Sequence, residues 1–154
     1  MSYEQKLTQL GITLPAPPKP VATYIPAVLA GELLFLSGVI PFRDGKLVFE
    51  GKLGRELTVE QGAEAAGIAL LNALAIARHE LGTLDRVKRI VRMTGYVASA
   101  EGFVQHPSVI NGASDLLVKI FGEAGRHARV ALGAAELPLN APIEIELIIQ
   151  VTPV

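Results

Sequence analysis

The chain has 154 residues, of which 50% are hydrophobic and 19% are charged, and its formal net charge is −1. This length predicts one compact domain, and the high apolar content predicts a homo-oligomer, because a monomer of this size usually shows less apolar surface. Because the chain has no cysteine, disulfides, thiolate catalysis and cysteine-based metal sites are excluded, and we expect a cytoplasmic location. The nearly neutral charge argues against a nucleic-acid partner, which usually selects a basic domain.

We expect neither a membrane partner nor a secretory signal. The longest apolar run, Ala65 to Ala77, is interrupted by Asn72 and is too short to cross a bilayer. The first residues of the chain lack the apolar segment of a signal peptide.

Residues 1–21 are predicted to form a docking arm of the single domain that spans residues 1–154. Ser2 to Leu10 would form a short helix with Tyr3 and Leu7 on one side. The proline-rich segment from Pro15 to Pro20 must be extended, because a residue before proline avoids the helical region.

Two strands and a hairpin are predicted after the arm. Tyr24 to Gly31 and Leu33 to Ile40 read as strands joined by a tight turn at Gly31-Glu32, and Pro26 favours a sheet edge for the first. The pair Asp44-Gly45 is typical of a hairpin turn.

A capping box predicts the start of a long helix. The Thr58 hydroxyl can accept from the third helical amide while Gln61 reaches back to the cap. The helix is predicted to run to about Leu81, with Gly82 as a left-handed terminator. A strand from Arg86 to Val97 and a second helix from Val109 to Phe121 follow.

The last quarter of the chain places charges in an apolar strand. The turn formers from Leu137 to Pro142 predict a closing hairpin between Val130 to Ala135 and Ile143 to Val151. In the second strand one face is wholly apolar, and the other carries Glu144, Glu146, Ile148 and Gln150. A glutamate there is either solvated or covered by a ligand or another chain, because unpaired burial would be very costly.

The predicted order is strand, strand, helix, strand, helix, strand, strand. It indicates an α+β sandwich with two helices on one face of a mainly antiparallel sheet.

Several segments resemble a known family when they are taken together. They are Leu34 to Pro41, the strand Val87 to Met93, Val109 to Ala113, Arg129 with Leu137-Pro138, and Ile143 to Glu146. From about Tyr24 to the C-terminus the chain resembles the Rid (reactive intermediate deaminase) proteins, also called the YjgF or L-PSP endoribonuclease family. The resemblance implies a chorismate-mutase-like fold assembled as a homotrimer with a central barrel, and small-molecule clefts where neighbouring subunits meet.

The resemblance also implies an enamine or imine deaminase that needs no metal or organic cofactor. Arg129 would bind the carboxylate of a small 2-imino acid, such as 2-aminoacrylate, and Glu144 would position the water that releases a 2-oxo acid and ammonia. A planar guanidinium suits a carboxylate, and a partly desolvated glutamate can exchange protons near neutral pH. Two alternatives stay open: Arg129 could form a surface salt bridge to Glu123 or Glu136, and Glu146 could replace Glu144.

Further substrate-binding residues follow from the same resemblance. Tyr24 would lie over the ligand, although it could equally be an ordinary strand aromatic. Ser37 and Gly38 would line the pocket, with a strand bend or bulge as the alternative reading. Asn111 would lie near the cleft, or else cap or bond within the core, and Ala131 would form part of the pocket wall.

The chain also departs from the family pattern. Many deaminase members carry Arg-Ser-Cys where this chain has Arg129-Val130-Ala131, and an acidic or apolar residue at Gly133. A second hypothesis is therefore a non-catalytic module that binds a 2-oxo acid or a related carboxylate. A third is ribonuclease activity, but the basic residues of the strand that starts at Arg86 fall on both faces without interleaved aromatics.

Overall fold

A computed structural model describes residues 1–19 and 23–153. The helices are α1 (Tyr3–Gln9), α2 (Val59–Leu81) and α3 (His106–Phe121). The strands are β1 (Ala27–Ala30), β2 (Leu33–Leu36), β3 (Phe42–Arg43), β4 (Lys46–Leu47), β5 (Val87–Ala98), β6 (Ala128–Ala134) and β7 (Ile143–Val151).

The N-terminal arm begins with α1 and docks on the rest of the chain. The backbone amides of Tyr3 and Glu4 both donate to Asp85, at 2.7 and 3.2 Å, and the Glu4 carboxylate accepts from the Leu84 amide at 3.0 Å. The Tyr3 ring also meets Phe121 edge to face, with the ring centres 4.7 Å apart. The short helix is thus confirmed. The end of the predicted arm, Pro20 and Val21, lies outside the described residues.

Helix α2 begins and ends as its sequence predicts. Thr58 and Gln61 form both hydrogen bonds of the capping box, at 3.2 and 2.9 Å. Gly82 terminates the helix with φ +80°, a conformation that costs least for glycine.

The main sheet has the order β1-β2-β7-β5-β6, so the α+β prediction is confirmed with a mixed sheet. The first four strands in this order pair antiparallel, and β1 lies at the edge that Pro26 predicted. By contrast, β6 pairs parallel with β5. Helix α3 carries the chain back along the sheet, and such a crossover makes consecutive strands parallel.

The predicted closing hairpin is wrong. Strands β6 and β7 do not pair, because β5 lies between them. The segment from Leu137 to Pro142 therefore carries the chain across β5 and does not form a tight hairpin turn. Strand β7 instead pairs with β2 on one side and β5 on the other, and it is therefore a central strand of the sheet. Its apolar face is wholly buried.

Other boundaries differ by a few residues. Strand β1 begins three residues after Tyr24, and α3 begins three residues before Val109 with a proline in its first turn. Strand β2 ends at Leu36, although Val39 still bonds to Ile145 through both backbone groups, at 2.8 and 3.0 Å. The small hairpin at Asp44-Gly45 is confirmed, and both of these residues have positive φ.

The core lies between the helices and one face of the sheet. The alternate apolar side chains of β7 from Ile143 to Val151 are fully buried there, and Leu74 of α2 and Leu117 of α3 are among the largest side chains without exposure. We call the other surface the open sheet face; it carries Val28, Phe35, Tyr96, Leu132, Glu144, Glu146 and Ile148. Within the described residues, no helix is long and apolar enough to cross a membrane.

Candidate functional site

A cavity of about 390 Å³ lies beside the ends of β2 and β7. Four of the residues that the sequence predicted for the site line it: Tyr24, Ser37, Gly38 and Glu144. Most of the remaining wall is apolar and includes Phe42 of β3, Ile76 of α2 and Leu139 of the loop before β7. A largely apolar cavity with a few polar groups is typical of a small-molecule site.

Glu144 is the half-buried carboxylate of this cavity. Burial, and to a lesser degree the nearby charge of Glu146, raises the pKa of the Glu144 carboxyl above its usual value. Glu146 lies on the same face of β7 and accepts a hydrogen bond from the Tyr96 hydroxyl at 3.3 Å. Of the two carboxylates, only Glu144 lines the cavity. It is therefore the better placed to exchange a proton with a bound molecule.

Gly38 provides the space that the Glu144 carboxylate occupies. A Cβ atom at position 38 would overlap the Glu144 carboxylate oxygen and lie 2.9 Å from its Cδ atom. The requirement for glycine here comes from this close approach and not from an unusual backbone angle.

Ser37 has a structural contact as well as a place in the cavity wall. Its hydroxyl donates to the carbonyl of Ile25 at 2.7 Å, and its amide donates to the carbonyl of Pro26 at 2.9 Å. Both bonds tie the segment before β1 to the end of β2. They hold the segment that carries Tyr24, whose side chain is 51% exposed at the rim.

Arg129 forms a second cluster with two residues of α3. Its Nη1 atom donates to the Asn111 side-chain oxygen at 2.8 Å and to the Ser114 hydroxyl at 3.1 Å. The alternative of a surface salt bridge is not realised, because Glu123 pairs with Arg126 and Glu136 pairs with Lys52. Within residues 1–19 and 23–153, Arg129 has no carboxylate partner, so a half-buried cation is held by neutral groups alone.

His127 extends this cluster behind Ser114. Its Nε2 atom lies 3.0 Å from the Ser114 hydroxyl, and its Nδ1 atom lies 2.6 Å from the carbonyl oxygen of Gly125. Ser114 was not among the site residues predicted from the sequence. A three-residue spacing on α3 puts Ser114 on the same helix face as Asn111. His127 lies just before β6, so no strand pattern includes it.

The two clusters lie on opposite faces of the sheet within one subunit. Arg129 is paired with Met93, which is fully buried against the helices, whereas Glu144 is paired with Tyr96 on the open sheet face. Strand β5 separates β6 from β7. One chain thus brings Tyr24, Ser37, Gly38 and Glu144 together but leaves Arg129 with Asn111 elsewhere.

The positions that depart from the family pattern also lie on β6. Ala131 is partly buried and packs against the apolar core. A Cβ atom at Gly133 would lie 2.7 Å from the Ser99 hydroxyl and 2.8 Å from His106 Nε2, two atoms that are themselves 3.0 Å apart. The small residue at position 133 therefore leaves room for a serine–histidine contact at the start of α3. Among residues 1–19 and 23–153, no three acidic or histidine side chains are grouped closely enough to bind a metal ion.

Comparisons with known proteins agree with this architecture. Residues 4–151 match the family model described as "YjgF/chorismate mutase-like, putative endoribonuclease". Protein TCP17 of Trypanosoma cruzi is 41% identical over 94% of this chain and 91% of its own length. A RutC family protein of Aquifex aeolicus is 31% identical over 89% of this chain and 95% of its own length.

A solved structure shows the same fold. It is that of a protein of unknown function from Agrobacterium tumefaciens, which is 40% identical and has a TM-score of 0.91. The match covers 97% of this chain and 92% of that one. With the family model matching nearly the whole length, the chain belongs to the YjgF/Rid/L-PSP family.

Proposed function

We propose that the protein is an enamine or imine deaminase that converts small 2-imino acids to 2-oxo acids and ammonia. The observation that carries this proposal is Glu144, a half-buried carboxylate with a raised pKa beside a largely apolar cavity. A group of this kind can take a proton from water and return it to a departing amine near neutral pH.

We further propose that the working enzyme is a homotrimer whose clefts combine residues from two subunits. Arg129 and Glu144 lie on opposite faces of one sheet with a strand between them, and two strand spacings amount to about 10 Å. A ligand of only a few heavy atoms cannot touch both groups of one subunit. In the trimer, Arg129 of one subunit would meet the Glu144 cavity of the next.

The open sheet face supports such an assembly. Val28 is 50% exposed, Phe35 40% and Leu132 39%, although all three are large apolar side chains. An exposed apolar surface of this kind is typical of a surface that another protein covers. Coverage of this face would also bury Glu144 more deeply.

The proposed reaction assigns one task to each cluster. Arg129 binds the substrate carboxylate with a planar, two-pronged donor. With the imine nitrogen protonated, Glu144 accepts a proton as water adds to the imine carbon, which breaks the carbon–nitrogen π bond and gives a neutral carbinolamine. The Glu144 proton then passes to the nitrogen, and the carbon–nitrogen single bond breaks with its electron pair leaving on ammonia. The hydroxyl gives up its proton, which ends on the ammonia, and its oxygen becomes the carbonyl of the 2-oxo acid.

The test is to measure ammonia and 2-oxo acid formation from enzymatically generated 2-aminoacrylate. We expect rapid release by the wild type and a loss of about 10- to 100-fold in Arg129→Ala, because a charged contact to the substrate is removed. Arg126→Ala is the matched control, since Arg126 is exposed and, among the residues that the structure describes, its side chain pairs with Glu123 alone. We expect this control to keep full activity at the same oligomeric state.

One outcome would count against the deaminase: release of ammonia by an intact wild-type oligomer at only the background rate. If a 2-oxo acid raised the melting temperature of that inactive oligomer, the non-catalytic binding hypothesis would replace the deaminase.

The ribonuclease hypothesis has little support in the contacts of Arg86, which precedes β5, and of the basic residues at the start of β5. Arg86 donates to two backbone carbonyl groups, Arg89 donates to the carbonyl of Arg126 at 3.4 Å, and Lys88 lies 3.6 Å from the Glu32 carboxylate. Most of these basic side chains are therefore used within the fold, and we do not propose RNA as the substrate.

A further inference from the structure

We propose that Ser114 and His127 are positioning residues that fix the orientation of the Arg129 guanidinium, so that its Nε and Nη2 edge receives the substrate carboxylate. The inference rests on the proposed function for its kinetic consequence, but the orientation itself can be measured without any substrate.

The direction of each hydrogen bond in this network follows from chemistry. The carbonyl oxygen of Gly125 can only accept, so His127 Nδ1, 2.6 Å away, carries the hydrogen. In the neutral ring Nε2 then accepts, and the Ser114 hydroxyl donates to it across 3.0 Å. The oxygen of Ser114 is left with its lone pairs, which accept from Arg129 Nη1 at 3.1 Å. His127 thereby sets Ser114 as an acceptor towards Arg129.

The same distances decide which edge of the guanidinium remains available. Nη1 has two hydrogens, and both are used, one by Asn111 at 2.8 Å and one by Ser114 at 3.1 Å. The hydrogens on Nε and Nη2 make no hydrogen bond within the described residues. A carboxylate can therefore bind side-on, with one oxygen on Nε and the other on Nη2.

Neutral partners make this arrangement suitable for a substrate. A carboxylate partner would cancel the charge of Arg129, whereas an amide oxygen and a hydroxyl restrain its rotation and leave the charge to the ligand. The network is also anchored at both ends, because Asn111 and Ser114 belong to α3 and Gly125 is a buried backbone group. Both anchors lie on the same subunit as Arg129, so we expect the orientation to exist before a ligand binds.

The first measurement is a nitrogen-15 NMR spectrum of the arginine side chains of the full-length protein, with Arg129 assigned through Arg129→Lys. We expect the two Nη atoms of Arg129 to give separate signals in the wild type, because a held guanidinium rotates slowly. Ser114→Ala and His127→Leu should merge these signals. Ser114→Thr, which keeps a hydroxyl, and His127→Gln, which keeps a polar atom near the Nε2 position, should keep them apart.

The kinetic measurement uses 2-aminoacrylate as the substrate and 2-oxobutanoate as a competing ligand. In Ser114→Ala we expect KM and the inhibition constant to rise about tenfold, the size expected for one lost hydrogen bond to a charged group, with kcat nearly unchanged. Ser114→Thr should restore both constants. If Ser114 had only a structural role, Ser114→Ala would lower kcat and the melting temperature together. In that case Ser114→Thr would not restore KM and the inhibition constant selectively.

The outcomes separate this inference from the proposed function. Merged Arg129 signals in the wild type, or separate signals that persist in both Ser114→Ala and His127→Leu, would overturn the positioning role even if the protein is an active deaminase. Separate, Ser114-dependent signals in a protein without deaminase activity would uphold the positioning role and overturn the proposed reaction. The wild-type spectrum alone can decide against the inference, so the test does not depend on every variant folding.

Discussion

At the scale of single residues, the raised pKa of Glu144 makes the stability of the fold depend on pH. Its pKa is raised in the folded chain, first by burial and then by the charge of Glu146. Folding therefore favours the protonated form of Glu144. The contribution of this preference to stability is fully present below the ordinary glutamate pKa and is lost as the pH rises through the raised pKa. At neutral pH the charged form of Glu144 costs stability.

We therefore expect Glu144→Gln to be more stable than the wild type at neutral pH, with a difference that shrinks as the pH falls through the raised pKa of Glu144 and levels off below the ordinary glutamate pKa. Thermal unfolding at a series of pH values measures this difference. Glu146→Gln is the comparison variant, and it should lower the pKa of Glu144 by removing a like charge. A constant gap between Glu144→Gln and the wild type at all pH values would contradict the account.

Gly38 allows the position of Glu144 to be tested without removing its charge. In Gly38→Ala the added methyl group overlaps the end of the Glu144 side chain, which can swing away. We expect a change of less than about 1 kcal/mol in the free energy of unfolding, because a flexible side chain yields easily. Deaminase activity should fall about tenfold or more, because the carboxylate is displaced from the cavity.

The measurements for this variant are denaturant unfolding and ammonia release on the same preparation. An active Gly38→Ala enzyme with wild-type stability would show that the observed position of the carboxylate is not needed for the reaction.

The charges of the site could be found from the sequence, whereas the network behind them could not. Arg129 and Glu144 stand out because charged residues in an apolar strand require a reason. Ser114 and His127 are ordinary on their own, and their roles depend on how α3 packs against β6. That packing is a long-range contact, so no local pattern at either residue reports it.

At the scale of helices and strands, the contact between α2 and α3 depends on one glycine. A Cβ atom at Gly112 would overlap the backbone carbonyl of Ala63, which cannot rotate away as a side chain can. At Gly67, on the facing helix, the nearest atom to such a Cβ would be 3.6 Å away, an ordinary contact.

These two positions form a matched pair of substitutions. We expect Gly112→Ala to lose about 1–3 kcal/mol of stability, because the helices must move apart. Gly67→Ala should be neutral or gain up to about 1 kcal/mol, because alanine is the better helix former. Denaturant unfolding measures both values. Equal effects at the two positions would mean that helix propensity and not the close approach governs this contact.

The elements themselves were largely predictable, and their pairing was not. The caps of α2, the alternation of β7 and the turn at Asp44-Gly45 are local features, and the structure confirms each of them. The order of the strands depends on the crossover through α3, which places β5 between β6 and β7. A six-residue turn-rich segment looks the same in sequence whether it closes a hairpin or crosses a neighbouring strand.

At the scale of the whole molecule, the separation of the two clusters is the feature that an assembly must explain. One subunit carries Arg129 on the face of the sheet towards the helices and Glu144 on the open sheet face. Exposed apolar side chains share that open face. If three copies close around these faces, each cleft receives its arginine from one subunit and its glutamate from another.

This arrangement predicts complementation between two inactive variants. Arg129→Ala lacks the carboxylate-binding group and Glu144→Gln lacks the proton-transfer group, so each oligomer alone should have no more than about a tenth of the wild-type rate. If the two variants are denatured, mixed in equal amounts and refolded together, a cleft is complete whenever Glu144→Gln supplies the arginine and Arg129→Ala supplies the glutamate. Random mixing in a symmetric ring gives about a quarter of the clefts this composition, so about a quarter of the wild-type rate should return.

The decisive comparison is between the refolded mixture and the same variants refolded separately and then combined. Subunits that do not exchange leave the second sample inactive, whereas the first regains activity. Wild-type protein taken through the same procedure supplies the reference rate, and a size measurement confirms equal assembly. If the refolded mixture stays inactive while the wild type recovers, Arg129 and Glu144 act within one subunit or do not act together, and the shared-cleft mechanism fails. Recovery near a quarter would instead require that neighbouring subunits build each site, which would explain why a single chain separates these two residues across its sheet.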